Sequence, residues 1–487
     1  MSKRISDMKK LVLLAALFAC MGLSASAQAP DGMRPDSLLF GQRGDSLRGP
    51  MPPGGGPGGP MGMMPDSLRG AGGGMEGPGG GMPPGGMGGG QGGPGGPGGM
   101  MPGGPGGRES AESTLSPTGY GLTEGTAKAE NGNFSSTETD ENAVKVTGGQ
   151  LSLKDCTITK PGADSNNGDG TSFYGTNAAV LVRDSGFVSI SGGTITTEAV
   201  GSNALVAYGG KAEMKDVTIQ CLSNLSRGIH ATGGGTITAE NLTIDTRGNN
   251  SSVIATDRGG GVVNVHGGTY TCAGRDCAVL YSTGTISVDG IEGRSAVGEI
   301  GVIEGDNEIN ILNSRLESGD NRRGLMILQS GSGDAVGFNG RINVTNSTLK
   351  LTSDEAPLFE ITTRTKGTVT LTDVEIEAPS GVLMQVGYNS RWQTRNPVAV
   401  LNLRTGSQAE YKGDMVVKDD GTLTVSVGKG VAWLGACDKE NQGGRATVIV
   451  DGTWTLTADS YVDSLTINEG GQVDKAGYTL TIRSEEK

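Results

Sequence analysis

Positive charge, long apolar runs, helical periodicity and paired cysteines are all scarce in this sequence of 487 residues. Lysine and arginine number 39 against 52 aspartates and glutamates, a net charge of -13. That excludes nucleic acid as a partner, because phosphate binding needs clustered cations; an acidic chain is easier to reconcile with solubility and with calcium. The apolar run from Leu11 to Ala19 covers about nine residues, against the roughly 20 needed to cross a bilayer as a helix. No later segment substitutes for it, so no transmembrane segment is expected. The 3.6-residue spacing of apolar residues that marks helices is almost absent. Of six cysteines, Cys20 falls in the leader, and the remaining Cys156, Cys221, Cys272, Cys277 and Cys437 are odd in number. At least one must stay free or pair between chains. Only Cys272 and Cys277 are close in sequence and mark a candidate loop disulfide in an oxidising compartment. Buried thiols are expected for the others.

What is present begins with an export pattern. Lys3, Arg4, Lys9 and Lys10, the apolar run, and Ala25-Ser26-Ala27 before Gln28 predict a secretory signal peptide over residues 1–27. Leu17-Phe18-Ala19-Cys20 offers a second reading: it resembles a lipobox, which would leave Cys20 lipidated at the outer membrane. Both readings place the protein at the cell surface or outside the cell. Residues 28–118 are dominated by Gly, Pro and Met. Such a segment buries too little apolar surface to offset its ordering entropy, which predicts a disordered stalk or linker. Three Asp-Ser-Leu phrases, carrying Ser37, Ser46 and Ser67, interrupt it. They resemble an O-glycosylation acceptor of exported bacterial proteins, or they are a decaying repeat; both readings stand.

From residue 119 to 487 Val, Ile, Thr and Asn take over, and the chain repeats itself. Phrases such as Asp155-Cys156-Thr157-Ile158, Asp216-Val217-Thr218-Ile219 and Asn241-Leu242-Thr243-Ile244 recur at a spacing of 23 to 27 residues, interrupted by two insertions. Within each unit, short runs alternate apolar and polar residues, which means strands with one face inward. Gly, Asn and Asp punctuate the runs at positions 155, 192, 216, 241, 267, 290, 313, 346 and 373. A position repeated in every coil that must turn selects residues tolerant of left-handed backbone, so a ladder of turns is expected there and not a row of metal ligands. The pattern predicts an all-β parallel solenoid of three short strands per coil. Insertions near Pro161–Thr176 and Gly331–Gly340, and an excursion from Asn389 to Asn396, are where binding is expected to sit.

With these repeats the chain resembles the pectate-lyase-like superfamily of right-handed parallel β-helices, and more closely its adhesin-like, carbohydrate-binding bacterial members. The segment from Trp454 to Tyr461 also resembles the closing coils of autotransporter passenger domains. The resemblance covers residues 120–487 and implies a right-handed coil. It is specific for architecture and leaves activity open.

Lyases of that superfamily use calcium-binding carboxylates with a basic residue, and its hydrolases use a carboxylate pair. The charged pairs Arg183-Asp184, Asp257-Arg258, Arg275-Asp276 and the run Asp320 to Arg323 match no such motif. The Asn-Thr-Asp and Gly-His-Gly phrases of polygalacturonases are missing, and only two histidines occur, His230 and His266. The pairs read as solvated surface, and no catalytic residue is assigned. The column Tyr208, His230, Asp257, Arg258 and Tyr281 falls on or near one sheet in successive coils, a row of aromatic faces and charged donors suited to a sugar chain, or else plain surface decoration. Trp392 and Trp433 are stacking platforms or core. Asp164, Asn166 and Asp169 sit in an oxygen-rich loop that makes calcium a candidate ion, although the spacing departs from the EF-hand pattern. The expectation is a non-catalytic adhesin or carbohydrate-binding rod whose partner is a polysaccharide or host-cell glycan. A polysaccharide lyase or glycoside hydrolase is the first alternative and a structural envelope or matrix protein the second.

Overall fold

The computed structural model describes residues 118–331, 334–391, 395–418 and 420–483. The leader with Cys20, the Gly/Pro/Met segment with Ser37, Ser46 and Ser67, Trp392 and residues 484–487 lie outside the described residues. No helix among those described is long and apolar enough to cross a membrane.

The chain is a parallel β-solenoid. Alternating sequence becomes alternating burial: Lys211–Lys215 turns Ala212 and Met214 inward and its lysines and glutamate outward. Successive coils pair in register, so equivalent side chains stack. Ile158, Ile195, Ile219 and Ile244 form one such column, followed by Tyr270. Tyr270 needs more room, and its neighbour in the next coil is Gly293. A Cβ there would lie 2.4 Å from Leu316 Cδ2, so any larger residue would have to push the Leu316 side chain out of the stack.

The corners follow the expected ladder. Asp155, Gly192, Asp216, Asn241, Gly267, Gly290, Asn313, Asn346 and Asp373 all have φ between 48° and 68°. Asp and Asn enter this left-handed region at less strain than branched residues. Their side chains also bond between coils: Asn241 Nδ2 donates to Asp216 Oδ1 at 2.6 Å, and Asn313 Nδ2 to Asp289 Oδ1 at 2.8 Å.

Twelve strands, from Thr118–Leu122 to Asp414–Val417, form the first sheet. The second and third faces merge into one 22-stranded sheet, because Gly235–Thr246 and Gly261–Cys272 run across the corner between them. In the last coils a separate four-stranded sheet carries Val431–Leu434 and Thr453–Thr455. There Trp433 and Trp454 stack at 4.9 Å in the core, and each indole N–H donates to a backbone carbonyl, Gly413 and Gly435, at 2.9 Å. Trp433 is therefore core and no sugar platform.

Cys272 and Cys277 correct another expectation. They are separate buried thiols, Cys272 Sγ donating to the Cys277 carbonyl at 3.3 Å and Cys277 Sγ to the Gly248 carbonyl at 3.1 Å. Each sulfur is directed at a carbonyl inside the coil stack, and burial pushes the thiols up to about 12 and about 11.

The first sheet differs from the others in being covered. The strands Val180–Arg183, Ile229–Thr232, Gly301–Glu304 and Leu325–Leu328 are buried at every position. The excursions cover it. The first contains a short helix, Gly168–Tyr174, opened by the Asn167 side chain accepting from Gly170 N–H and closed by Gly175 in the left-handed conformation. Thr232 Oγ1 donates to the Phe173 carbonyl at its C-terminal end. The second is tied down where Asp334 meets Arg258 at 2.7 Å, and the third where Asn389 Nδ2 donates to Glu360 Oε1 at 3.1 Å.

Candidate functional site

The outward column of the first sheet runs through Lys145, Leu181, Val206, His230, Ala255, Tyr281, Val302, Met326 and Glu360. A residue facing outward in a solenoid normally meets water. Here His230 and Val206 are fully buried, and Met326 and Glu360 nearly so. On the outer face of this sheet, with Arg391 of the third excursion at its edge, lies a cavity of about 200 Å³. Its apolar surface is Ala278, Val302, Met326 and Leu328; its polar walls include Arg227, Arg323, Arg391, Asp276, Glu299, Glu304 and the Tyr281 ring.

Of the five residues expected to grip a ligand, three come together. Asp257 is buried and pairs with Arg227, Oδ2 to Nη2 at 3.1 Å. Burial outweighs that pairing and pushes its carboxyl up to about 6. His230 Nε2 lies 4.0 Å from the same oxygen, and neither ring nitrogen has a hydrogen-bond partner. Burial, helped by Arg227, holds His230 well below its ordinary value, so the ring is neutral at pH 7. Tyr281 donates from its hydroxyl to Glu304 Oε1 at 3.0 Å, with the Arg227 guanidinium 5.8 Å from its ring centre. The other two belong to a neighbouring patch under the short helix. Arg258 lies over the Phe173 ring at 3.9 Å, and Tyr208 meets Tyr174 edge-on at 5.6 Å with Arg183 4.9 Å from its ring centre. The open row of the sequence reading is in fact roofed.

The charged residues read as solvated surface divide: Asp184, Arg275 and Asp276 are exposed as expected, and four others are not. Asp257, Asp320, Arg183 and Arg323 are 3%, 1%, 7% and 6% exposed. Arg322 forks onto Asp320, Oδ1 and Oδ2 both 3.0 Å from Nε, and reaches Asp276 at 3.1 Å. Arg323 pairs with Glu299 at 3.2 Å and with Glu360. Sequence reasoning missed Arg227, Glu299, Glu304 and Glu360. A legible trace of two of them existed: Glu360 interrupts the apolar run Leu358-Phe359-Glu360-Ile361, and Glu304 closes Val302-Ile303-Glu304. Burial raises Glu304, against the hydrogen bonds from Ser330 and Tyr281. Burial and Asp320 raise Glu299, against Arg322 and Arg323.

Such a cavity offers a small ligand an apolar bed and a rim of charged donors and acceptors. A larger groove of about 1120 Å³ crosses the last coils, but exposed Gln408, Glu410 and Lys429 line it and no buried titratable group does. Of the calcium candidates, Asp164 accepts from Val200 N–H at 2.8 Å, Asn166 is exposed, and the Asp169 side chain lies outside the described residues. Among the described residues no three His, Cys, Asp or Glu side chains group closely enough to hold a metal.

No family model matches the chain. It is similar to the BrkA autotransporter of Bordetella pertussis (strain Tohama I), 26% identical over 360 residues, which cover 69% of this chain and 32% of that protein. The chain thus matches about a third of its relative's length.

Proposed function

We propose that the protein is an exported, surface-presented β-solenoid that recognises carbohydrate, without catalysis, in the covered pocket of its first sheet. The observation that carries this reading is the cavity itself: one small space where Tyr281, Arg227 and Glu304 surround an apolar bed, the combination that grips a sugar ring by stacking and by its hydroxyls. Likeness to an autotransporter, the leader pattern of residues 1–27 and the closing coils around Trp454 support export and surface presentation. A rigid rod bearing one roofed pocket suits attachment to a polysaccharide or a host-cell glycan.

A second reading, a polysaccharide-cleaving enzyme, is favoured by one observation. Glu304 lines the cavity, Asp257 pairs with Arg227 beside it, and burial raises both carboxyls, the direction that suits a general acid. Both readings are tested by incubating the purified protein with neutral and acidic polysaccharides, with calcium or with chelator, scoring retention and products together. Retention without products, lost in Tyr281→Ala, is the expected result. Product release abolished in Asp257→Asn or Glu304→Gln would establish the enzyme instead, and absence of any retention would remove both. Dependence on calcium would direct attention to Asp164, Asn166 and Asp169.

A further inference from the structure

We infer that the two ends of the solenoid are complementary docking surfaces, and that their occupant is a second copy of this chain, joined last coil to first. The inference is independent of the carbohydrate reading, because it concerns the ends of the rod and not its covered face.

The inward columns run from one end to the other without a polar stop. One begins at Ala127 and Leu151 and continues, coil by coil, to Val448 and Leu465. The column beside it begins at Ala129 and ends at Val450 and Ile467 through the same pairings. In the next-to-last coil Val448, Val450, Trp454 and Val462 are fully buried. Their neighbours one coil on, Leu465, Ile467, Val473 and Ile482, occupy the same inward positions, yet Ile467 is 50% and Ile482 55% exposed. The opposite end repeats this. Tyr120, Leu122, Ala127, Ala129 and Phe134 are half-buried, whereas Val144, Val146, Leu151, Leu153 and Ile158, their partners in the second coil, are buried. Both ends therefore present the side chains that one more coil would cover.

Backbone capacity is open at the same places. Among the described residues, Ser464–Ile467, Gln472–Asp474 and Leu480–Ile482 each pair with a strand on one side only. So do Thr118–Leu122, Thr126–Glu130 and Asn133–Ser135 in the first coil. A free strand edge is a template for another strand, and native sheets blunt it with proline or lysine. The three strands of the last coil contain neither.

Direction and register select the occupant. The outermost pairings at both ends are parallel, so the strands that continue them must run the same way. The first coil of a second copy meets that demand; another last coil, turned to face its like, runs antiparallel. Continuing the columns sets Leu465 on Ala127 and Ile467 on Ala129, in both cases a large side chain against a small one. Lys128 then lies beside Thr466 and Glu130 beside Asn468, while the strand holding Asp474 faces the uncharged Asn133–Ser135. No like charges meet along these strands. A contact between unlike ends does not close on itself, so it extends into a linear filament.

Sedimentation of the full chain across a concentration series, with negative-stain electron microscopy, tests this. The expected result is reversible association into straight rods whose lengths are multiples of roughly 70 Å, one solenoid at about 4.8 Å per coil. Ile467→Lys and Ala129→Lys should each weaken association roughly tenfold or more, because the junction buries an amine without a partner. An equal mixture of the two variants should form dimers and nothing longer, since each keeps one intact end, and that dimer also shows both variants to be folded. Absence of the dimer from a mixture whose β content is intact by circular dichroism overturns the inference. Association of Ala129→Lys by itself, with Ile467→Lys inert, overturns it by showing that like ends meet. Association unchanged in both variants overturns it by placing the contact on the sides of the rod. A chain that stays monomeric at every concentration overturns it as well, and leaves another occupant for the ends, residues 28–117 among the candidates.

Discussion

The first sheet and the second are built from the same short strands in the same coils, yet the middle strands of one are buried on both faces and the other meets water. In the second sheet Lys211–Lys215 alternates exposed and buried, and Lys215 pairs with Glu240 at 2.8 Å in full view of solvent. In the first, Ile229–Thr232 is buried throughout, and the ion pair of Arg227 with Asp257 is roofed. The difference does not come from the strands. It comes from three excursions that leave the coil and fold back over one face, and it converts ordinary outward charges into buried ones with altered acidity.

Breaking one ion pair in each sheet should expose that contrast most strongly. Asp257→Ala leaves Arg227 buried beside an unpartnered His230 and is expected to lower stability by about 3–5 kcal/mol in urea denaturation. Lys215→Ala, in the solvated pair, should leave the midpoint unchanged. Equal losses at the two positions would show that the roof does not exclude water.

The next effect is a pH dependence. The folded state holds a proton on Asp257 up to about pH 6, while the unfolded chain releases it near its ordinary 3.8. Asp257 therefore favours folding below about pH 4, and that contribution is lost as the pH rises to about 6, by up to about 3 kcal/mol from this group. Glu304 and Glu299, both raised, act in the same direction. Urea midpoints from about pH 4 to 7 should fall more steeply for the wild type than for Asp257→Asn. Identical slopes would place Asp257 in contact with water.

The smallest expected contrast compares two apolar side chains that both point out of the coil. Met326 is 4% exposed under the excursions and Leu312 is 38% exposed on the second sheet. Met326→Ala should cost about 2 kcal/mol or more. Leu312→Ala should stay within about 0.5 kcal/mol.

Much of the fold was legible because a solenoid writes its geometry into the chain at every coil. The nine corner positions could be read as left-handed turns, since the same backbone demand falls on each in turn and only Gly, Asn and Asp answer it cheaply. Inward columns were legible from alternation. The candidate site was legible only in part. His230, Asp257 and Tyr281 could be aligned by counting coils, but Tyr208 and Arg258 were assigned to the same row although the short helix draws them to Tyr174 and Phe173. The disulfide expected of Cys272 and Cys277 rested on nearness in sequence, and each thiol is directed at a backbone carbonyl instead.

The amino-acid sequence by itself determined the coil: its length, its corners, its inward stacks and the places where it would be interrupted. These are local or nearest-neighbour properties, repeated until the pattern outweighs the noise. Only the tertiary structure decided what the interruptions do. Whether Glu304 and Glu360 face water or are buried depends on where chain segments 25 to 30 residues away fold back, as Ser330 does onto Glu304 and Asn389 onto Glu360. Burial is a property of what covers a residue, and no repeat within one coil encodes it.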